Sequence, residues 1–412
     1  MRTPAAATQG SSSSGSSPTG NLLSLFLPSR PQVHPMNHSH SGQSKEVAGS
    51  SQLGQGQGAE IFQRRVGELF QTLVETPDDL LSLAWVRDVL YTALGCESEF
   101  KSLVPRPKPP LSKAEEKITA DFFERSVKAL DLCNAIRDGI DQVRLWQKHV
   151  EIVLCALDGR QRSLGEPQFR RARKALYDLT LAMAAADDKD SPAGAAGLLL
   201  LASRNRSFGR PSPRGGEAPS HFRSLSWSVS RSWSAGRQLQ AMGSNLVAPK
   251  STEAAATNGL STAAYTMNNV ILFALWALVA AIPCQDRGLQ THFSVPRNFV
   301  WAAPLLSIHD KVMEESRKRD RRSSSSVGLL KEIHQIARCV RRLSDLADTV
   351  KFPLAEQQDQ EVRELVLEIM HLWASLRDGL DPLEKQVREL FHRIIRTRTE
   401  AFDTFSRPSS QD

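Results

Sequence analysis

The sequence predicts an all-α fold: long amphipathic helices and helical hairpins in two halves, with a disordered N-terminal tail and a central basic linker. Three observations carry this. From residue 60 onward apolar residues recur every third or fourth position, the period of a buried helix face. No segment shows the sustained alternation between turns that marks a strand. Aromatic residues are 6% of the 412, with 3 Tyr, too few for an aromatic-rich β-sandwich. Apolar residues at 40% and charged residues at 24% leave enough material for a sizeable core.

Residues 1–58 are rich in Ser, Gly, Gln, Pro and His, with Glu46 as their one acid. Such a segment buries too little apolar surface to offset its chain entropy and is expected to be disordered. Its apolar run Leu22–Leu27 is too short and too far from the start for a signal-peptide core. A Ser-rich, acid-poor start also overlaps with chloroplast transit composition. A chloroplast address is thus an alternative to a membrane or peripheral cytoplasmic location.

Residues 59–186 form an N-terminal helical region. Phe62, Val66, Leu69, Phe70 and Leu73 make one stripe. Thr76-Pro77-Asp78-Asp79 reads as the start of the next helix, which carries Leu81, Trp85 and Val89. After a proline-rich stretch, residues 113–157 keep helical spacing throughout, with Gly139 as a candidate break. A further helix covers 166–186.

Residues 187–258 are expected to be a disordered basic linker. Between 203 and 250 eight Lys/Arg face one acid, Glu217, a surplus equal to the whole chain's formal charge of +7. Nucleic-acid binding is not expected, because no recognition fold accompanies the charge. Arginines two or three residues upstream of Ser207 and Ser226, and Arg321-Arg322 before Ser323, suit basophilic kinases. A phosphate there would cancel positive charge.

Residues 259–284 are a hydrophobic helix. Val270 to Ile282 is apolar for 13 residues, about 20 Å of helix against a hydrocarbon core of about 30 Å. Val270, Ile271, Leu272, Phe273, Leu275, Trp276, Leu278, Val279 and Ile282 are the candidate membrane-contacting residues. A single-pass span, a buried core helix and reversible surface insertion are all compatible with them. The basic flanks give no orientation.

Residues 285–407 form a C-terminal helical region. Gly379 falls where a left-handed residue ends a helix, and Asp381-Pro382-Leu383-Glu384 restarts one, with Asp381 as N-cap and Glu384 closing a capping box. The expectation is a tight helical hairpin with Lys385, Arg388, Arg393 and Arg396 on a basic outer face, suited to a protein partner or an anionic membrane.

The stretch Gly379–Glu400 resembles the plant BYPASS/ROH family. Further matches are Leu83-Ala84-Trp85, Glu124–Asp131 with Cys133-Asn134-Ala135, and Gly328-Leu329-Leu330-Lys331-Glu332. The ROH-type branch is favoured, and the resemblance covers residues 60–412 apart from the linker. It implies plant origin and a non-enzymatic regulatory role. For ROH-type members it implies binding to the phosphoinositide-binding subunit of the exocyst, a vesicle-tethering complex. Other members restrain a root-derived mobile signal that arrests shoot growth, and members are often described as having one membrane-spanning segment. A small-molecule-binding regulator is the alternative from another class.

No enzyme motif is present: no G-x-S-x-G, Walker loop, H-E-x-x-H or G-x-G-x-x-G. No catalytic residue, cofactor or metal is expected. Arg137-Asp138-Gly139-Ile140-Asp141 and Arg377-Asp378-Gly379-Leu380-Asp381 echo one another, a weak internal repeat. The five cysteines are scattered without C-x-x-C spacing, which predicts reduced, mostly buried thiols.

Overall fold

A computed structural model describes residues 47–75, 80–103, 112–157, 164–184, 233–284, 288–320 and 328–406. The chain divides at Val47/Ala48, and the helices belong to the second part. Every element among the described residues is a helix: α1 Val47–Val74, α2 Leu83–Leu103, α3 Lys113–Ala156, α4 Glu166–Ala184, α5 Ala235–Gly243, α6 Ser251–Ala256, α7 Leu260–Ala281, α8 Ala302–Asp320, α9 Lys331–Thr349 and α10 Glu356–Ser406. The predicted all-α class is what the chain adopts. The tail before residue 47, the Thr76–Asp79 helix start, the linker over 185–232, and Ser207, Ser226 and Ser323 lie outside the described residues.

The hydrophobic segment is the centre of the bundle. It forms α7, which is long and apolar enough to cross a membrane, yet its apolar window is wholly buried. All nine candidate membrane residues are at most 4% exposed. Its sheath is specific. α1 runs alongside in the same direction, with Gln63 Nε2 donating to Thr266 Oγ1 at 2.5 Å and Phe70 edge-on to Phe273 at 5.1 Å. Trp301 Nε1 donates to Gln63 Oε1 at 2.6 Å, and Asn269 donates to the Tyr265 carbonyl. Thr266 and Asn269, which would sit poorly in lipid, thus find partners inside protein.

Three expectations are corrected. Residues 233–258, expected to belong to a disordered linker, are ordered, and Ala235, Leu239 and Met242 give α5 an apolar face that it buries. Ser234 caps that helix by accepting from the Arg237 N–H at 3.1 Å. Helix α1 likewise begins at Val47 rather than near 59.

The second correction concerns Pro382, which lies inside one continuous helix rather than opening a second. A proline within a helix costs about 3 kcal/mol. Against that cost, Leu376, Leu380, Leu383, Val387, Leu390 and Ile394 continue through it as one buried stripe. Each fully buried side chain of this kind contributes about 1.5–3 kcal/mol. The stripe keeps its phase across the proline, so breaking the helix would expose half of it. Gly379 is therefore no left-handed cap.

The third is that the two halves are not separate. α10 lies between α2 and α3, so the N-terminal and C-terminal regions share one core. α3 runs unbroken for 44 residues, about 66 Å. It opens on a capping box: Ser112 Oγ accepts from the Glu115 N–H at 3.3 Å, and the Glu115 carboxylate accepts from the Ser112 N–H at 2.8 Å. The S-x-x-E pattern announces this box.

Candidate interaction site

The C-terminal half of α10 is tied to α2 and α3 by side-chain bonds between residues far apart in sequence, and its direction follows from them. Gln386 meets the Arg87 carbonyl, Arg393 the Leu94 carbonyl, Thr397 the Glu97 carboxylate and Lys101 the Glu400 carboxylate. Residue numbers rise together, so α10 is parallel to α2. On its other side Arg144 of α3 reaches Asp381 and Glu384, while Arg398 donates to the Phe123 carbonyl and Ser126 Oγ. Numbers there run oppositely, so α10 is antiparallel to α3.

Arg144 holds the seam electrostatically. It donates to Asp141 at 3.0 Å, Asp381 at 2.7 Å and Glu384 at 2.6 Å. Burial opposes its charge, but its hydrogen bonds to Glu384, Asp381 and Asp141 raise its pKa above the ordinary value. The Arg144 hydrogen bond holds the Glu384 carboxyl below its own ordinary value. Asp381 and Glu384, predicted as helix-capping residues, serve here as an anionic clamp. The two R-D-G echoes thus meet, since Asp141 and Asp381 grip the same arginine.

The echoed glycines have a packing reason. A Cβ on Gly379 would lie 2.2 Å from Leu83 Cδ2, and one on Gly139 would lie 2.6 Å from Ile282 Cγ2. The segment Gly328–Glu332 joins the same end of the bundle. The Leu329 and Leu330 N–H groups donate to the last α7 carbonyls, Ala280 and Ala281, at 3.0 Å each. Lys331 N–H donates to the Leu81 carbonyl at 2.8 Å, and the Glu332 carboxylate accepts from the Leu83 N–H at 3.0 Å. Arg319 donates to the Leu329 carbonyl. Glu332 is only 8% exposed, so this carboxylate works as a buried anion at a helix N-terminus.

The motifs Leu83–Trp85, Glu124–Ala135, Gly328–Glu332 and Gly379–Glu400 are therefore largely helix-to-helix seams. What the seams leave over is an outward row on α10. Lys385, Arg388, His392 and Arg396 are exposed, spaced three and four residues apart on one helix face. Arg388 pairs with Glu384. Neither Lys385 nor Arg396 closes a salt bridge among the described residues.

Arg393 does not belong to that row. It turns inward to the Leu94 carbonyl at 2.9 Å and to Glu97 at 3.3 Å, with Glu97 itself 7% exposed. Its hydrogen bonds to Glu389 and Glu97, working against burial, raise its pKa. Arg393→Glu is expected to lower unfolding stability by about 2 kcal/mol, since it places two acids together at a half-buried site. Lys385→Glu and Arg396→Glu are expected to stay within about 0.5 kcal/mol of the parent. Urea unfolding followed by circular dichroism separates the two behaviours, and equal losses at all three positions would contradict this placement.

No group of three or more His, Cys, Asp or Glu suited to a metal ion occurs among the described residues. Burial pushes the Cys96 and Cys133 thiols up to about 12, and that of Cys339 to about 11. These three are core groups, while Cys155 is exposed and Cys284 partly so. His149 has its pKa lowered by burial, partly offset by Asp178.

Residues 19–405 match the family described as "Protein ROH1-like". Protein ROH1D of Arabidopsis thaliana is 51% identical over 352 residues, spanning 83% of this chain and 87% of that protein. Protein ROH1A of the same plant is 33% identical over 376 residues, spanning 84% and 89%. UPF0496 protein 4 of Oryza sativa subsp. japonica is 23% identical over 301 residues, spanning 72% and 54%. None of these names denotes an enzyme. No solved structure matches the chain. With one of these plant relatives half identical across nearly its whole length, this chain belongs to the ROH1-like family, on its ROH-type branch.

Proposed function

We propose that this protein is a non-enzymatic docking module that binds a helical subunit of the exocyst through the outward cation row of α10, working as a peripheral protein beside membranes. The carrying observation is that row: Lys385, Arg388, His392 and Arg396 are exposed at helical spacing, on the element whose other faces the fold consumes. A row of this kind steers and orients an anionic partner more than it adds raw affinity. Its position beside anionic lipid would be favourable as well, at about 1 kcal/mol per cation near such a surface. The exocyst as partner comes from the resemblance to ROH-type proteins, and the geometry supplies a surface compatible with it.

The test is calorimetric titration of the full-length protein with the recombinant phosphoinositide-binding exocyst subunit. Lys385→Glu, Arg388→Glu and Arg396→Glu combined are expected to weaken binding at least tenfold, with a steep salt dependence in the parent. An unchanged dissociation constant would leave the row as ordinary solvated surface.

A further inference from the structure

Arg398 bonds Ser126, and Arg144 bonds Asp381 and Glu384, so these residues mark the seam between α3 and α10. In an antiparallel pair of helices, stepping one residue past the seam turns to the same side on both. On α3 that side carries Glu124, Val127, Asp131 and Asp138, and on α10 it carries Lys385, Ile395 and Arg396. All are exposed except Asp131, which is half-buried. Leu132, Val143, Leu383 and Leu390, turned the other way, are core.

The charges that the fold leaves over on this face differ in sign from one helix to the other. Glu389 is held by Arg393, Arg388 by Glu384, and Asp141, Asp381 and Glu384 by Arg144. What remains on α10 is Lys385 and Arg396, both positive. On α3, Asp138 has only Arg137, at 3.7 Å, and Glu124 pairs with Lys128 of its own helix. Burial raises the Asp131 pKa, and no charge among the described residues opposes the rise. Glu124, Asp131 and Asp138 fall seven residues apart, so they form one line along the helix. Between the two charge rows stand Val127 and Ile395, 44% and 38% exposed, with Leu130 half-buried beside them. The seam bonds also set the levels: Ile395 stands level with Val127 and Leu130, Lys385 with Asp138, and Arg396 between Glu124 and Asp131.

We propose that this face pairs with itself: two copies of the chain meet about a two-fold axis along the seam, α3 of each lying on α10 of the other. Rotation about that axis keeps every residue at its own level. Lys385 of one copy therefore meets Asp138 of the second, and Arg396 meets Glu124 and Asp131, each contact occurring twice. Val127, Leu130 and Ile395 of both copies close over the axis as the apolar centre, with the charges toward the rim. An axis across the seam would instead set α3 on α3 and acid on acid. The inference does not depend on the docking function proposed above, but the two meet at the same cations. Self-association and an anionic partner would exclude one another there, so the pair would hold the docking row covered until a partner displaced it.

The experiment is sedimentation velocity of the full-length protein over a rising concentration series, in low and in high salt. The parent is expected to move from monomer toward dimer with concentration, and less so in high salt. Glu124→Lys with Asp138→Lys reverses the acidic row, and Lys385→Glu with Arg396→Glu reverses the basic one. All four positions are exposed, so both variants are expected to melt within about 2 °C of the parent. Each variant alone is expected to self-associate at least tenfold more weakly, because its two rows then carry one sign. Mixed in equal amounts, the two are expected to form a mixed dimer, since opposite signs then meet at both contacts. A parent that stays monomeric at every concentration would overturn the pairing. So would a dimer that both reversals leave intact, or one lost in each variant and not recovered on mixing. Titration with the recombinant exocyst subunit reads docking separately. A monomeric parent that binds the subunit loses the pairing and keeps the docking function, while a dimeric parent whose reversed variants recover on mixing, but which binds no subunit, does the opposite.

Discussion

Leu278→Lys is expected to abolish the folded state. Leu278 is fully buried in the last turn of α7, so an ammonium placed there is taken out of water with no partner in place for it. The effective penalty for such a charge is several kcal/mol, and the lost leucine packing adds about 2–5 kcal/mol. Together these match the whole stability of an ordinary domain, about 5–15 kcal/mol. The variant should collect in the insoluble fraction, and any soluble remainder should lose its cooperative melt.

The same argument sets the behaviour of the parent in alkaline carbonate. For α7 to span a bilayer it would have to leave its sheath, exposing the faces of α1, α2, α3 and α8 now turned toward it. It would also place α2 and α3 across the membrane from α10. That would break Glu97–Arg393, Lys101–Glu400 and the Arg144 clamp at once. The tagged parent is expected to be released from membranes by the carbonate wash. Retention of the parent, together with a folded Leu278→Lys protein, would show that the buried arrangement is not the one present in cells.

Much of the bundle is legible from periodicity alone. Phe62, Val66, Phe70 and Leu73, chosen for spacing, are all buried, because a 3.6-residue period and burial express the same geometry. Local rules failed where distant packing outweighed them. Gly379 and Asp381-Pro382-Leu383-Glu384 satisfy every rule for a helix stop and restart, yet Leu83 and Arg144, roughly 300 and 240 positions away, decide their roles. Composition failed similarly over 233–258, where three apolar residues on a short helix suffice to bind it to a ready-made surface. The basic row was visible as charge, but only the contact with Glu97 separates Arg393 from it.

The segment Gly328–Glu332 carries the second large expected effect, because five residues there tie three helices. Gly328 has φ of +83°, and a Cβ would stand 2.4 Å from the Ala281 carbonyl oxygen. That carbonyl is itself the acceptor for the Leu330 N–H, so it cannot retreat without losing its bond. Gly328→Val adds the strain of a β-branched residue at positive φ to a clash with backbone, about 4 kcal/mol or more together. At about 2–4 °C per kcal/mol for a chain of 150–250 residues, this predicts a fall in melting midpoint of about 10 °C. Glu332→Ala strands the buried Leu83 N–H and removes an anion from the start of α2, at about 1–3 kcal/mol for the first effect and up to about 1 for the second. Glu332→Gln keeps an acceptor without the charge, so it should fall between parent and Ala. Thermal melts ordered parent, Gln, Ala, Val would mark this segment as the tie between the end of α7 and the start of α2. A Gly328→Val midpoint within about 2 °C of the parent would mean that the carbonyl can yield, and that the glycine serves something other than this contact.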